Sequence, residues 1–400
     1  MLRTVTHSRS RPLVSLALGM LLAAASLGLA SCGTKTTTTV LAFDQAIIDQ
    51  IDDMVGRIMD SNKVPGAIVG IWWEGRGEYV MAYGEADLAS DRAMSPADLF
   101  KAASTTKTVT GNLILQLVSE GTLSLDDKLS GFEFARGVTN ADKITIRMLL
   151  NQTSGLPDPS NENQEMIAVE LTDPLHAFTK EEVMAYGQAM PVLSEPGESY
   201  KYSNWNYYLL GMIVEQVTGM SLDQAIQARF ANPLGLNDTR LDADSSFLLS
   251  RQHSNGYVWD EAQPGEEKYV DATEASTSWT WAAGSVTTDI DDMRVWIEAV
   301  AHGTLISPST YKEQVAVVST GDGKPSDYRQ GVIETGGFYW HNGAVPGYSS
   351  YAGSNPEEGL TICVFMNLMP GPELEGSQPG SQYLLSTTTA RKLIELLEGQ

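Results

Sequence analysis

Cysteine is nearly missing: in 400 residues only Cys32 and Cys363 carry a thiol, so no intrachain disulfide is expected to staple this fold. Cys363 lies in the apolar run Leu360-Thr361-Ile362-Cys363-Val364-Phe365, the setting of a buried core residue and not of a nucleophile. Histidine is scarce as well. The five present are scattered, with no His-Glu-x-x-His and no close pair, so neither a metal nor another cofactor is expected. No Gly-x-Ser-x-Gly stretch occurs, which removes the nucleophile elbow of the α/β-hydrolases. Basic residues are outnumbered, 26 Lys and Arg against 50 Asp and Glu, for a net charge of −24. That balance argues against nucleic acid or anionic lipid as a partner of the protein body. What is abundant is apolar: 42% hydrophobic residues over this length can bury a large core in one elaborate domain or two.

The N-terminus differs from the rest. Arg3, Arg9 and Arg11 precede an apolar segment from Leu13 to Ala25, the layout of a secretory signal. It ends in Leu29-Ala30-Ser31-Cys32-Gly33, which resembles a bacterial lipobox and implies cleavage before Cys32 with lipidation of its sulfur. An uncleaved membrane anchor is the alternative. Residues 1–31 are therefore read as a lipoprotein signal peptide and the threonine-rich residues 32–43 as a polar tether. A domain over 44–397 follows, and the expected location is the bacterial cell envelope, with the lipid as the only membrane contact.

Apolar spacing predicts a helix over 44–60, then a hairpin from Ala67–Trp73 and Glu78–Tyr83 around the turn Glu74-Gly75-Arg76-Gly77. From 104 to about 303 helices and loops dominate: Ile146–Asn151, Lys180–Met190, Trp205–Thr218, Ser221–Ala231 and Asp289–His302, with a polar, loop-rich stretch over 242–278. Strands resume at Gln330–Glu334, Gly337–His341, Tyr348–Gly353 and Leu360–Asn367, and a last amphipathic helix covers Thr389–Leu397. The expected fold class is α+β. An antiparallel sheet built from residues 44–103 and 304–397 is flanked by the terminal helices, with a mainly helical region, 104–303, inserted between its strands.

Three constellations carry chemistry. Ser104-Thr105-Thr106-Lys107 opens a helix that runs to Gly121, because Val109, Leu113 and Leu117 recur on one face. Ser104 and Lys107 then share a face. A serine hydroxyl needs a base, and burial at a helix N-terminus drives a lysine toward the neutral form that can serve as one. The spacing alone is weak, since Ser309-Thr310-Tyr311-Lys312 also fits and a capped helix start explains either copy. Tyr202-Ser203-Asn204 sits where a turn enters a helix. Beside a lysine its phenol can have a lowered pKa and shuttle a proton, while the carboxamide can orient lysine and substrate; a core tyrosine with a capping asparagine is the plainer alternative. His341-Asn342-Gly343 ends a strand, where glycine permits close approach of a ligand and an ordinary strand histidine would look the same.

Taken in order, Ser104-x-x-Lys107, Tyr202-x-Asn204 and His341-x-Gly343 resemble the motif set of the serine penicillin-recognising enzymes, in particular the class C β-lactamases, D,D-peptidases and related esterases. Leu149-Leu150-Asn151-Gln152-Thr153-Ser154-Gly155-Leu156-Pro157-Asp158 and Ala283-Gly284-Ser285-Val286-Thr287-Thr288-Asp289 are similar to further stretches of that group. The resemblance implies a β-lactamase/transpeptidase-like fold with a cleft between sheet and helices. It implies Ser104 as the acylated nucleophile, with Lys107 and Tyr202 managing its proton, Asn204 orienting lysine and substrate, and His341 on the cleft-edge strand. The N–H groups of Ser104 and Ala344 would form an oxyanion hole, and Asn342, Gly343 and Ala344 would line the substrate site. The implied function is a serine hydrolase acting on an amide or ester bond of a cell-wall peptide, a β-lactam or an ester. A non-hydrolytic sensor of such ligands is the alternative. Asn342 and Ala344 stand where carboxylate-gripping members carry hydroxyl residues, so neutral esters are expected to be favoured, unless Arg251 or Arg329 replaces the missing contact.

Overall fold

The apolar runs at the two ends of the chain pair with each other. In the computed structural model, which describes residues 42–263, 268–321, 323, 325–369 and 384–399, helix α1 (Gln45–Asn62) leads into β1 (Gly66–Trp73) and β2 (Gly77–Asp87), with the short β3 (Arg92–Ala93) beyond. β4 (Phe100–Lys101) delivers the chain to a 3-10 turn, Ala103–Thr105, and to helix α2 (Thr106–Ser119). Helix α3 (Asn204–Thr218), the short β5 (Val286–Thr288) and helix α4 (Ile290–His302) follow. The chain then returns through β6 (Ile333–Thr335), β7 (Phe338–Val345), β8 (Tyr348–Asn355), β9 (Leu360–Met366) and the last helix, α5 (Leu385–Glu398). The main sheet has the order β6-β7-β8-β9-β1-β2-β3, with antiparallel neighbours throughout. The expected α+β architecture is what the structure shows.

Strand periodicity sorts the core into two layers. In β1, Ala67, Val69 and Ile71 join Ile51 and Val55 of α1 and Leu393 and Leu397 of α5 on one face. Ile68 and Trp72 point the other way, toward α2, α3 and α4. β9 repeats the split, with Ile362 and Val364 on the terminal-helix face and Cys363 and Phe365 on the other. Both faces are therefore covered, and β1 and β9 read as near-continuous apolar runs. Cys363 is fully buried and free, as expected of a core residue.

Several boundaries differ from the sequence reading. β7 continues four residues past His341, so His341 and Gly343 lie inside the strand and not at its end. α5 begins at Leu385, a turn earlier than its apolar spacing suggests. The 221–231 helix is interrupted by a π turn over Gln227–Ala231, and Gly235 at φ 74° ends the winding. Within 242–278 the chain forms a small hairpin, Tyr257–Trp259 with Tyr269–Asp271. The signal segment, Cys32 and most of the tether lie outside the described residues.

Candidate active site

The nucleophile candidate is singled out by exposure. From Asp98 to Leu115 every residue is buried except Ser104, which keeps a partly open side chain. Ala103, just before it, holds φ at +50°, a left-handed conformation that disfavours a Cβ and is tolerated where surrounding contacts impose it. Those contacts come from the sheet. Ser350 Oγ donates to the Ala102 carbonyl at 2.6 Å and meets Thr105 Oγ1 at 3.0 Å, clamping the turn onto β8. Gly343, register partner of Ser350, completes the clamp: a Cβ there would lie 2.4 Å from Ser104 N. Only glycine fits.

Lys107, one turn on, is fully buried. Its Nζ lies 3.0 Å from Ser104 Oγ and donates to Asn204 Oδ1 at 2.7 Å and the Ala283 carbonyl at 2.9 Å. The rings of Tyr202 and Tyr207 stand 4.9 and 5.7 Å from it. Burial pushes its pKa down to about 7, against a smaller upward pull from Asp158. A large share of these lysines is therefore neutral near pH 7. The second Ser-x-x-Lys has no such setting, since Ser309 and Lys312 are both exposed on the helix Pro308–Val315.

Tyr202 stands beside the Ser104 hydroxyl, but its phenol moves opposite to the sequence expectation. Burial, with Tyr328 beside it, raises its pKa well above the ordinary value and outweighs the Ser104 bond. Tyr202 is a neutral donor, and Lys107 is the better base. His341, 1% exposed, places Nδ1 2.6 Å from the Asn342 carbonyl, which can only accept, so the ring proton sits on Nδ1. Nε2 is then an acceptor, 3.2 Å from the hydroxyl of Tyr328. Burial, reinforced by the Lys107 charge, lowers the His341 pKa to about 3. The imidazole is neutral.

The structure brings Ser104, Lys107, Tyr202, Asn204, His341 and Gly343 together, but not Asn342. Because Gly343 faces Ser104, its strand neighbours Asn342 and Ala344 point to the opposite face. Asn342 is buried there and donates to Thr387 Oγ1 of α5 at 2.7 Å. The expectation that its side chain lines the cleft is corrected by this parity. Ala344 stays partly exposed, and β6 pairs with β7 only over Phe338–Trp340, leaving residues 341–345 at the sheet edge. Neither candidate arginine stands ready for a substrate. Arg251 is paired with Asp238, and Arg329 with Glu334 at 2.8 Å.

Sequence reasoning missed several contributors. Ala283 acts through a carbonyl, which leaves no side-chain signature. Tyr328 lies in a stretch without periodicity, yet it touches His341 and packs edge-on to Tyr202 at 6.2 Å. Ser160, which accepts from Asn204 Nδ2 at 2.9 Å, lies just beyond the 149–158 segment.

Protein flp of Staphylococcus aureus is 28% identical over 333 residues, an alignment that covers 80% of this chain and 63% of that protein. Penicillin-binding protein 4* of Bacillus subtilis is 30% identical over 294 residues, covering 68% of this chain and 61% of the relative. The chain thus spans less than two thirds of the length of these relatives. The D-amino acid amidase of Ochrobactrum anthropi SV3, solved with D-phenylalanine, superposes with a TM-score of 0.73 at 25% identity, over 89% of this chain and 98% of that one. The β-lactamase family profile matches residues 51–383, a span that starts in α1, takes in all three motifs and extends past β9, and so the chain belongs to the β-lactamase family.

Proposed function

We propose that the protein is a serine hydrolase that forms an acyl-enzyme on Ser104, with neutral Lys107 as the base. The observation that carries this reading is the 3.0 Å bond between Lys107 Nζ and Ser104 Oγ, made by a lysine that burial holds near a pKa of 7. In acylation Ser104 Oγ gives its proton to Lys107 as it bonds the acyl carbon; as the bond from that carbon to the leaving group breaks, Tyr202, a neutral phenol beside Ser104, gives its own proton to the leaving group and regains one from Lys107. The Ser104 and Ala344 N–H groups are the proposed oxyanion donors. The close approach of strand and turn at Gly343 supports that pairing.

Neutral acyl compounds are the preferred substrates in this reading, esters and amides without a carboxylate beside the scissile bond. His341 is uncharged, Asn342 is tied to α5, and Arg251 and Arg329 are already paired with carboxylates. The similarity to a D-amino acid amidase supports amides among them. A substrate carboxylate entering without a partner costs about 1–3 kcal/mol, about tenfold to a hundredfold in specificity. We place the mature protein at the cell envelope, lipid-anchored through Cys32, on the strength of the lipobox-like Leu29-Ala30-Ser31-Cys32.

Intact-protein mass spectrometry with a penicillin and a panel of activated esters tests the activity. Ester adducts that form on the wild type, turn over, and vanish in Ser104→Ala support it. Adducts that persist without turnover favour the sensor, and kcat/KM for a D-Ala-D-Ala peptide above that of a matched ester overturns the substrate preference. A product that retains residues 1–31 with unmodified Cys32 overturns the anchor.

A further inference from the structure

Behind the lysine lies a carboxylate that the three motifs do not include. Asp158 is 3% exposed, and its bonds come from neutral donors: Ser160 Oγ at 2.6 Å, Asn161 Nδ2 at 2.8 Å and the Asn204 backbone N–H at 3.2 Å. The last places a negative charge at the first residue of α3, the positive end of its dipole. The first sets a direction. A carboxylate has no proton to offer, so Ser160 is the donor in that bond and its oxygen is left to accept. Asn204 Nδ2 supplies the accepted bond at 2.9 Å. The carboxamide is thereby fixed, nitrogen toward Ser160 and oxygen toward Lys107 Nζ at 2.7 Å, in a group whose two ends are otherwise interchangeable.

That orientation decides where the lysine's electrons point. A neutral amine has two N–H bonds and one lone pair. Asn204 Oδ1 and the Ala283 carbonyl, at 2.7 and 2.9 Å, can only accept, so they take both N–H bonds. The remaining partner is the Ser104 hydroxyl at 3.0 Å, whose O–H donates to the lone pair. We propose that Asp158 and Ser160 are positioning residues that fix the Asn204 carboxamide and so aim the lone pair of Lys107 at the Ser104 hydroxyl. The proposal rests on the reading of Lys107 as the base. In the step it serves, the Ser104 O–H bond breaks, its proton forms the third N–H of Lys107, and the oxygen electron pair forms the bond to the acyl carbon. The proton leaves again with the departing alcohol or amine. An Asn204 carboxamide free to turn over would present N–H to Lys107, draw the lone pair to itself and leave Ser104 without a base.

The groups that set the charge of Lys107 come from each element around it: Tyr202 from the loop before α3, Tyr207 from α3, His341 from β7, and Asp158. Burial holds both phenols in the protonated form and the imidazole neutral, and among these groups it is Asp158 that pulls the Lys107 pKa upward. Asp158→Asn therefore moves the acid limb of acylation to lower pH, because the protonated lysine loses a stabilising charge.

The test is the p-nitrophenolate burst from p-nitrophenyl acetate, followed from pH 5 to 10 on the full chain, with thermal unfolding to establish that each variant is folded. Ser160→Ala is expected to slow acylation about tenfold to a hundredfold, and Ser160→Thr, which keeps the hydroxyl, to recover most of the rate. A folded Ser160→Ala that acylates at the wild-type rate overturns the proposal, as does an Asp158→Asn whose acid limb does not move. Should Asp158→Asn fail to fold, the Ser160 pair decides. Lys107→Ala separates the two levels: normal acylation in that variant removes the base itself, whereas its loss alongside an unaffected Ser160→Ala removes only the positioning chain.

Discussion

Gly343→Ala probes the tightest approach in the site. A Cβ at this position would lie 2.4 Å from Ser104 N, 2.7 Å from Ala103 Cβ and 2.9 Å from the Ala102 carbonyl, where ordinary contact begins at 3.4 Å. Strand and turn must part by about 1 Å. Neither yields easily. β7 is held in register by β8, and the turn is held to β8 by the Ser350 bonds to Ala102 and Thr105. Overpacking of this kind costs about 1–3 kcal/mol of stability, and a displacement of about 1 Å at a reacting centre costs about a hundredfold in rate. The expected outcome is a lowered unfolding midpoint together with a fall of about a hundredfold or more in kcat/KM for an activated ester. Steady-state kinetics and calorimetry on the same preparation measure both. An alanine variant with wild-type stability and kcat/KM within threefold of normal would refute the close contact, and with it the placement of the nucleophile against the sheet edge.

Ser104→Ala should remove acyl adducts and cost about a thousandfold or more in activity, while Ser309→Ala changes neither; mass spectrometry and ester kinetics compare them. The acylation rate should climb with pH through about 7, because only deprotonated Lys107 accepts the Ser104 proton, and stay level above it, since burial keeps Tyr202 protonated and His341 is already neutral. A fall between pH 8 and 9 would contradict this. The same lysine should make folding stability rise between about pH 7 and 10: the unfolded chain, with a lysine pKa of about 10.4, keeps a proton there that the folded chain has lost. Denaturation midpoints read that slope. Asn342→Ala should cost about 1–3 kcal/mol of stability through its buried bond to Thr387 yet leave ester kcat/KM near normal, and a selective loss of activity would return Asn342 to the cleft.

The sheet was legible because its central strands β1 and β9 are buried on both faces and read as near-continuous apolar runs. The pieces that escaped have local reasons. β4 and β5 pair over two residues, too few for a period to show, although they deliver the chain to Ser104. The first turn of α5 carries Ser386 and Thr387, weak helix formers whose hydroxyls are buried against the strands, Ser386 Oγ reaching the Ser350 carbonyl at 3.0 Å. The helix Gln164–Thr172 has one buried residue, Met166, and leaves Leu171 76% exposed, so it shows no stripe.

The site was legible in its residue types and not in its signs. The spacing of Ser104 and Lys107 is repeated by Ser309 and Lys312, and what distinguishes the first pair is tertiary: Lys107 is enclosed by Asn204, Ala283 and two tyrosines from segments far along the chain, whereas Lys312 faces water. Strand alternation correctly paired Asn342 with Ala344, but which face met the nucleophile depended on where the turn at Ala103 docks. The Tyr202 phenol illustrates the same limit. A lysine charge lowers a phenol pKa and burial raises it, and the balance turns on how completely the ring is enclosed. Here burial comes first, which leaves a neutral phenol, a neutral imidazole and a lysine poised near neutrality around one serine. In the proposed acylation the proton of Ser104 passes to the lysine, and until it moves on to the leaving group its charge sits where Asn204 and Ala283 already face it with oxygen.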